Sequence, residues 1–324
     1  MNNLNRSVNV LATLILLLSS AGSVFAQTTA NTPKSNGFRI SPIRTELTID
    51  KGTSQTATIF IENPSTLTLK AKGIINDFRA SDKEDGQPLL LLDGSYASSH
   101  SLKRLIADTP VVELAPNERK DIKVTISVPA NAAAGGYYGA IRFLPTDIAS
   151  GANLSLTASV GSLFLVNVPG NIKEHLELQE FGAAVNGNIK KIITSGNISI
   201  ITRLKNDGDT HEKPFGKVQV KDGKGKVVAE EELNNIEPQA NVLPGSIRKF
   251  ETKLSNNKWL GHYTITASLG YNPSNNELIN AKSSFWYIPV WMMAVLVILI
   301  LSLLIAAYVI YRKLTNKRHS RSRR

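Results

Sequence analysis

Four of the five histidines, His100, His175, His211 and His262, lie where chemistry would first be sought. A serine or cysteine nucleophile needs a base, most often histidine, within hydrogen-bond reach. None of the four sits in a G-x-S-x-G or H-E-x-x-H setting, and the chain has no cysteine. Each reads as a surface or turn residue. Gly223-Lys224-Gly225-Lys226 is followed by no helix that would receive a phosphate, so it reads as a lysine-rich turn. Asp82-Lys83-Glu84-Asp85-Gly86 gathers the oxygens a hard cation takes, but without EF-hand spacing, and reads as a solvated loop. The sequence therefore assigns no catalytic residue, no metal site and no cofactor. An envelope hydrolase using acidic residues of the same region stays open as an alternative.

The two ends of the chain set the compartment. Arg6, the apolar run from Val10 to Leu18 and the Val24-Phe25-Ala26 end predict a signal peptide over 1–26, cleaved after Ala26. Ile288 to Tyr311 holds no charged residue and exceeds the roughly 20 residues that cross a bilayer core. Trp286, Tyr287 and Trp291 at one end and Tyr308 and Tyr311 at the other match the aromatic belts of the two interfaces. A single transmembrane helix over 288–311 follows. The tail, 312–324, carries seven Lys or Arg and no acid, which places it in the cytoplasm and the bulk of the chain outside. The net charge of +11 falls to +3 once Arg6 and those seven are set aside. No basic stripe with interleaved aromatics remains, so nucleic acid is excluded as a partner. The lipid bilayer is the partner of the helix.

Between the ends, the period is two. Ile122, Val124, Ile126 and Val128 alternate with Asp121, Lys123, Thr125 and Ser127, which puts one set in a core and the other in water. Ala57, Ile59 and Ile61 do the same, as do Leu154, Leu156, Ala158 and Val160. In the second half, Tyr263, Ile265, Ala267, Leu269 and Tyr271 repeat the pattern. Asp222-Gly223-Lys224-Gly225 between Val218 and Val220 and Val227 and Val228 predicts a hairpin. No stretch of this region keeps a helical period; Ser101 to Ala107 holds a short turn at most. Residues 27–36 are small and polar and read as a flexible leader.

A weak internal repeat divides the region. Asn63-Pro64-Ser65 ends a strand, Ala115-Pro116-Asn117 precedes another, and Gly135-Gly136-Tyr137-Tyr138 a third. Asn206-Asp207-Gly208, Leu243-Pro244-Gly245 and Gly261-His262-Tyr263 recur in the same order. The excess spacing in the first half is an insertion at about 79–109. The expected fold is all-β: two Ig-like β-sandwich domains in tandem, 37–170 and 171–285, then the helix. Without disulfides each must be stabilised by its hydrophobic core alone.

Phe38-Arg39-Ile40-Ser41-Pro42-Ile43, the Asn63 turn, Leu114-Ala115-Pro116 and Gly136 to Phe143 resemble the first domain of the WxL-interacting surface proteins. Pro214-Phe215-Gly216 and Leu243-Pro244-Gly245-Ser246 are similar to their second Ig-like domain. The resemblance implies a membrane-anchored cell-surface adaptor whose first domain binds peptidoglycan and whose second binds surface or host proteins. The sequence departs from that family in the short Thr45 to Lys51 stretch, where an Asn- and Gln-containing segment is missing. The opening strand and the Asn63 turn also look like the periplasmic pilus chaperones, which pair strands with subunits. Those lack a membrane helix and carry a basic pair that the sequence does not reveal here. An extracytoplasmic assembly chaperone is thus the alternative function.

Scaffolds present binding residues on loops. Arg79, Tyr96, Tyr137 and Tyr138 are the candidate contacts, with Leu89 to Leu92 read first as buried strand. At least one of the two adjacent tyrosines must point inward under the pleat.

Overall fold

The first two described strands enter different sheets. In the computed structural model, β1 (Arg39–Ser41) pairs antiparallel with β3 (Ser54–Glu62). The chain then passes the cis Ser41–Pro42 bond, and β2 (Arg44–Thr48) runs parallel to β9 (Val160–Val168) in the facing sheet. The structure describes residues 37–92, 95–107, 109–147, 159–254, 260–272 and 277–321. The signal peptide, the leader and the Leu154 to Ala158 alternation lie outside them.

β3 carries β7 (Arg119–Ser127) on its other side, which completes a three-stranded sheet. The facing sheet runs β2-β9-β8-β4-β5, with β8 at Gly135–Asp147, β4 at Leu69–Ala80 and β5 at Pro88–Leu90; β6 (Val111–Leu114) also pairs with β4. The alternation read in β7 is realised: Ile122, Val124 and Ile126 are buried and the residues between them are not. They pack with Ile59 and Ile61 against Ile141, Phe143, Phe164 and Val166 of the facing sheet. The 79–109 stretch is built into this sandwich. Its 3-10 turn, Leu102–Leu105, buries Leu102 and Leu105 in the same core. The buried Asp77 carboxylate accepts the N–H groups of Ala97 and Lys103, both at 2.8 Å.

The second sandwich repeats the plan. β10 (Leu176–Val185), β11 (Asn188–Ile189), β13 (Ser199–Asn206) and β16 (Ile247–Lys253) form the sheet β11-β10-β13-β16. β12 (Ile192–Ile193), β14 (Phe215–Lys221), β15 (Val227–Leu233), β17 (Gly261–Gly270) and β18 (Ile279–Tyr287) form β12-β18-β17-β14-β15. Ile200 and Leu204 meet Val218, Val220, Ile265, Leu269 and Phe285 between them. The expected hairpin joins β14 to β15, with Asp222 Oδ1 accepting the N–H of Lys224 and of Lys226, each at 2.9 Å. Among the described residues the protein is all-β, with two Ig-like sandwiches and one α-helix, α1 (Val290–Arg321). Within α1, Val290–Arg312 spans 23 residues at a mean hydropathy of 3.0 with no part of it buried. That fits a single-pass membrane anchor.

Candidate functional site

Where the two sandwiches meet, side chains from both converge on Glu46 of β2. Lys213 Nζ lies 2.5 Å from Glu46 Oε2, Arg44 Nε 3.0 Å from Oε1, and Asn241 Nδ2 donates to Oε1 at 3.1 Å. Burial alone would raise the Glu46 carboxyl, but Lys213, Asn241 and Arg44 together hold it below the usual carboxylate range. The backbone joins in, since the N–H of Gly136 donates to the carbonyl of Asp209 at 2.9 Å.

A second tie lies at the β4–β5 tip. Arg203 of β13 takes both oxygens of Glu84, Nη2 to Oε1 at 2.5 Å and Nε to Oε2 at 2.7 Å, and its Nη1 reaches Glu180 at 3.1 Å. Bidentate pairing of this kind fixes orientation as well as charge. It holds the Glu84 carboxyl below its ordinary range. The Lys249 N–H donates to the Glu84 carbonyl at 2.9 Å. Glu84 sits at φ 59°, a left-handed conformation uncommon for a residue with a side chain. A tip held there by a partner sandwich is a fixed joint rather than a passive turn.

Beside the Glu46 tie is a cavity of about 340 Å³ lined by Glu46, Thr210, His211, Glu212, Phe215 and Tyr271, among others. Two of its groups are strongly perturbed. Burial pushes the His211 imidazole down to about 4, helped by Lys213 and Arg44 and opposed by Glu46. Burial, with the nearby Glu174 charge, pushes the Glu212 carboxyl up to about 8. Glu212 Oε1 is buried with no hydrogen-bond partner among the described residues. Burial thus favours the uncharged form of both groups.

These positions correct the reading of the histidines. His211 is not a surface residue, because Tyr138 and the Glu46 cluster close over it; Tyr138 Oη lies 3.4 Å from its Nδ1. His100 Nε2 is 2.9 Å from the Ala134 carbonyl, and His175 Nδ1 is buried with no hydrogen-bond partner among the described residues. The acidic run is also more than a solvated loop: Asp82 faces Arg79 and Glu84 faces Arg203. Among the described residues no group of three or more His, Asp or Glu is placed to hold a metal ion.

The sequence candidates are scattered. Arg79 is exposed and paired with Asp82 at 2.6 Å. Tyr96 is exposed, with Lys103 Nζ 4.5 Å from its ring centre and Arg104 at 4.9 Å. Tyr137 and Tyr138 are both buried. Tyr137 joins the first core, and its hydroxyl donates to the Ala133 carbonyl at 3.0 Å. Tyr138 lies on the other face of β8 with Phe78, Ala140 and Leu165. Of the leucines, Leu89 and Leu92 are exposed and Leu90 packs beside Tyr138. Glu46, Arg203 and Glu212 carried no signal in the sequence.

The sheet edges complete the site. β2 begins opposite Leu163, so β9 is an inner strand over Leu163 to Asn167; Ser162 is fully buried with its hydroxyl donating to the Pro42 carbonyl at 2.7 Å, and among the described residues no strand pairs with Val160 and Gly161 on that side. Leu163 donates its N–H to Ile43 at 2.8 Å. The period of two carries that direction back to Gly161, whose N–H faces a side that β2 does not cover. No charged residue stands on this piece of edge, whereas the β7 edge carries Arg119, Asp121 and Lys123, the usual means of blunting an edge.

No family model matches the sequence, and no curated protein matches it. Solved structures with a similar chain path include a chaperone–tip adhesin complex of CFA/I fimbriae biogenesis, at 15% identity and a TM-score of 0.39, covering 77% of this chain and 98% of that one. The class 5 fimbriae chaperone CfaA follows at 16% identity and 0.39, covering 77% and 99%. The E. coli chaperone DraB stands at 11% and 0.35, covering 77% and 96%. At these identities the likeness is one of fold alone.

Proposed function

We propose that the protein is a membrane-tethered, non-catalytic binding protein that holds an extended segment of a partner protein by strand addition, in the manner of an extracytoplasmic assembly chaperone. The observation that carries the reading is the uncharged piece of β9 at Val160 and Gly161, which no described strand pairs with on the β2 side. An extended segment added there gains main-chain hydrogen bonds from the sheet and side-chain contacts from its alternate residues. The ties at Glu46 and Arg203 support it, because a fixed joint presents the edge with little ordering cost on binding. Arg44 and Lys213 flank the carboxylate of Glu46, and Arg248 lies near Arg44 with Asp85 as its nearby acid. That local excess of cation suits the acidic or carboxylate end of a bound segment. The apolar helix and its basic tail support an outward-facing position.

The surface-adaptor reading shares the tether and the protein partner; peptidoglycan is the component on which the two readings divide. The test is a photo-crosslinking amino acid at Val160 in the full chain in native membranes, with Thr125 on the charged β7 edge as control. A protein adduct of defined mass at Val160 alone is expected. Equal labelling at both positions, or retention on purified cell wall with no protein adduct, overturns strand addition.

A further inference from the structure

The end of the second sandwich that faces away from the Glu46 cluster is built differently from the rest of the surface. β18 ends at Tyr287 and α1 begins at Val290. Three residue steps reach at most about 10 Å, so this end cannot stand far from the point where the chain enters lipid. The headgroup layer itself is about 5–7 Å deep on each side.

The strand registers show what else lies there. Ile192 is opposite Trp286, Gly261 is opposite Tyr287, and the Trp286 N–H donates to the Lys191 carbonyl at 2.7 Å. Lys221 pairs with Thr264, so the 222–226 turn projects beyond. Lys253 pairs with Ser199, and the Leu254 N–H reaches the Ile198 carbonyl. Trp286 is 50% exposed, Ile192 58% and Leu260 48%. Lys190, Lys191, Lys224, Lys226 and Lys253 are all exposed, and none has an ion-pair partner among the described residues. Two acids stand near them. Asp222 is taken up by its own turn, and Glu251 accepts the Ser199 hydroxyl at 2.7 Å. The opposite end of the same sandwich carries Glu174, Asp207, Asp209, Glu212 and Glu277 instead.

We infer that this end of the second sandwich docks on the outer leaflet of the membrane, with its lysines on anionic phospholipid headgroups and Trp286, Ile192 and Leu260 at the headgroup–acyl boundary. The inference rests on the tether proposed above. Lysines draw a protein to an anionic surface additively, and an exposed tryptophan beside exposed aliphatic residues is the composition of an interfacial contact. Docking fixes the direction in which the first sandwich projects from the bilayer.

Because the chain has no cysteine, a single introduced one reports one place. Ser195, exposed and just beyond Ile193, marks the docking end. Thr125 marks a distant face and Leu301 the middle of the helix. The full chain carrying a nitroxide at S195C, T125C or L301C is reconstituted in phosphatidylcholine vesicles with and without phosphatidylglycerol. Collision with a water-soluble nickel reagent is then measured. Phosphatidylglycerol is expected to lower the collision rate at residue 195 by about threefold or more and to leave residue 125 unchanged. The difference disappears when Lys190, Lys191, Lys224 and Lys226 are all changed to Glu. A label at 195 as wet as the one at 125 in both lipids, with 301 shielded, overturns docking while leaving the tether. A wet label at 301 overturns the tether and docking together.

Discussion

Asn63 and Asn206 hold matching turns in the two sandwiches. Each is fully buried at the end of a strand. The Asn63 amide nitrogen donates to the carbonyls of Leu67, Leu114 and Ala115, and its oxygen accepts the N–H and hydroxyl of Ser65. The Asn206 amide nitrogen donates to the carbonyls of Thr210 and Val242, and its oxygen accepts the Gly208 N–H. In both, the amide ties the carbonyl four residues on to the loop that precedes the neighbouring strand of its sheet, β7 for Asn63 and β16 for Asn206. Asn63→Ala and Asn206→Ala should each cost roughly 2–4 kcal/mol, because the freed carbonyls stay buried. Asn63→Asp should cost more, since it turns an acceptor toward acceptors. Trp286 lies in the second sandwich and Trp291 in the helix, and residues 37–170 contain no tryptophan. Denaturant unfolding followed by tryptophan fluorescence should therefore shift strongly for Asn206→Ala and weakly for Asn63→Ala. Equal shifts would show that the two sandwiches unfold as one.

The joint at Arg203 and Glu84 makes a different kind of prediction. Both side chains are about a quarter exposed, so the pair is screened by solvent and contributes little to stability. A double-mutant cycle with Arg203→Ala and Glu84→Ala should give a coupling of about 0.5–1.5 kcal/mol that shrinks with added salt. Its larger effect is on geometry. Nitroxide labels on Thr125 and Asn280, one per sandwich, should give a narrow distance distribution in the parent chain and a broader one in Arg203→Ala. An unchanged width would mean that the Glu46 cluster alone fixes the angle.

Most of the secondary structure was legible because it lies where one face is wet and the other dry. β7, β17, the 222–226 hairpin and the apolar helix follow from alternation, turn chemistry or unbroken hydropathy. The Asn63 and Asn206 turns betrayed the repeat. The adjacent tyrosines show where alternation stops being informative. Tyr137 faces the first core, but Tyr138, on the opposite face, packs on Phe78 at 5.9 Å and on His211 at 5.7 Å between ring centres. A strand buried on both faces has no wet side to read. The cleft was hidden for a related reason. His211 and Glu212 stand in a polar stretch, and what buries them is β2 with Glu46, far off in sequence.

That burial has a consequence for pH. An acid whose folded value is raised binds a proton that the unfolded chain has already lost. Glu212, at about 8 against an ordinary 4.5, therefore stabilises fully below 4.5 and loses its contribution as pH rises through 8. His211, at about 4 against 6.5, must charge on unfolding below 6.5, so its effect is loss of stability as pH falls from 6.5 to 4. The two slopes oppose one another between 4.5 and 6.5, which leaves the Glu212 slope alone between 6.5 and 8. Stability should fall across that upper window by roughly 1–3 kcal/mol. Glu212→Gln should remove the fall and expose the His211 slope below 6.5. Denaturant midpoints measured at half-unit steps check this; a Glu212→Gln profile parallel to the parent one would assign the slope elsewhere.

The β9 edge yields the sharpest test of binding. If a partner segment pairs along Val160 and Gly161, the Gly161 N–H is one of its donors. Proline at 161 removes that donor, and proline is tolerated in a strand where the N–H faces an open edge. A side chain at Gly161 would meet the Arg142 Cγ at 3.0 Å and the Ile141 backbone oxygen at 3.2 Å, close contacts that a shift of a few tenths of an ångström relieves. Gly161→Pro should thus lower stability by no more than about 1–2 kcal/mol, yet reduce crosslinking from Val160 about tenfold through loss of a main-chain hydrogen bond and disruption of register. Asp121→Pro on the charged β7 edge should leave crosslinking from Val160 unaltered. Should Gly161→Pro fold and still capture its partner at the parent level, the partner would not be reading the β9 backbone.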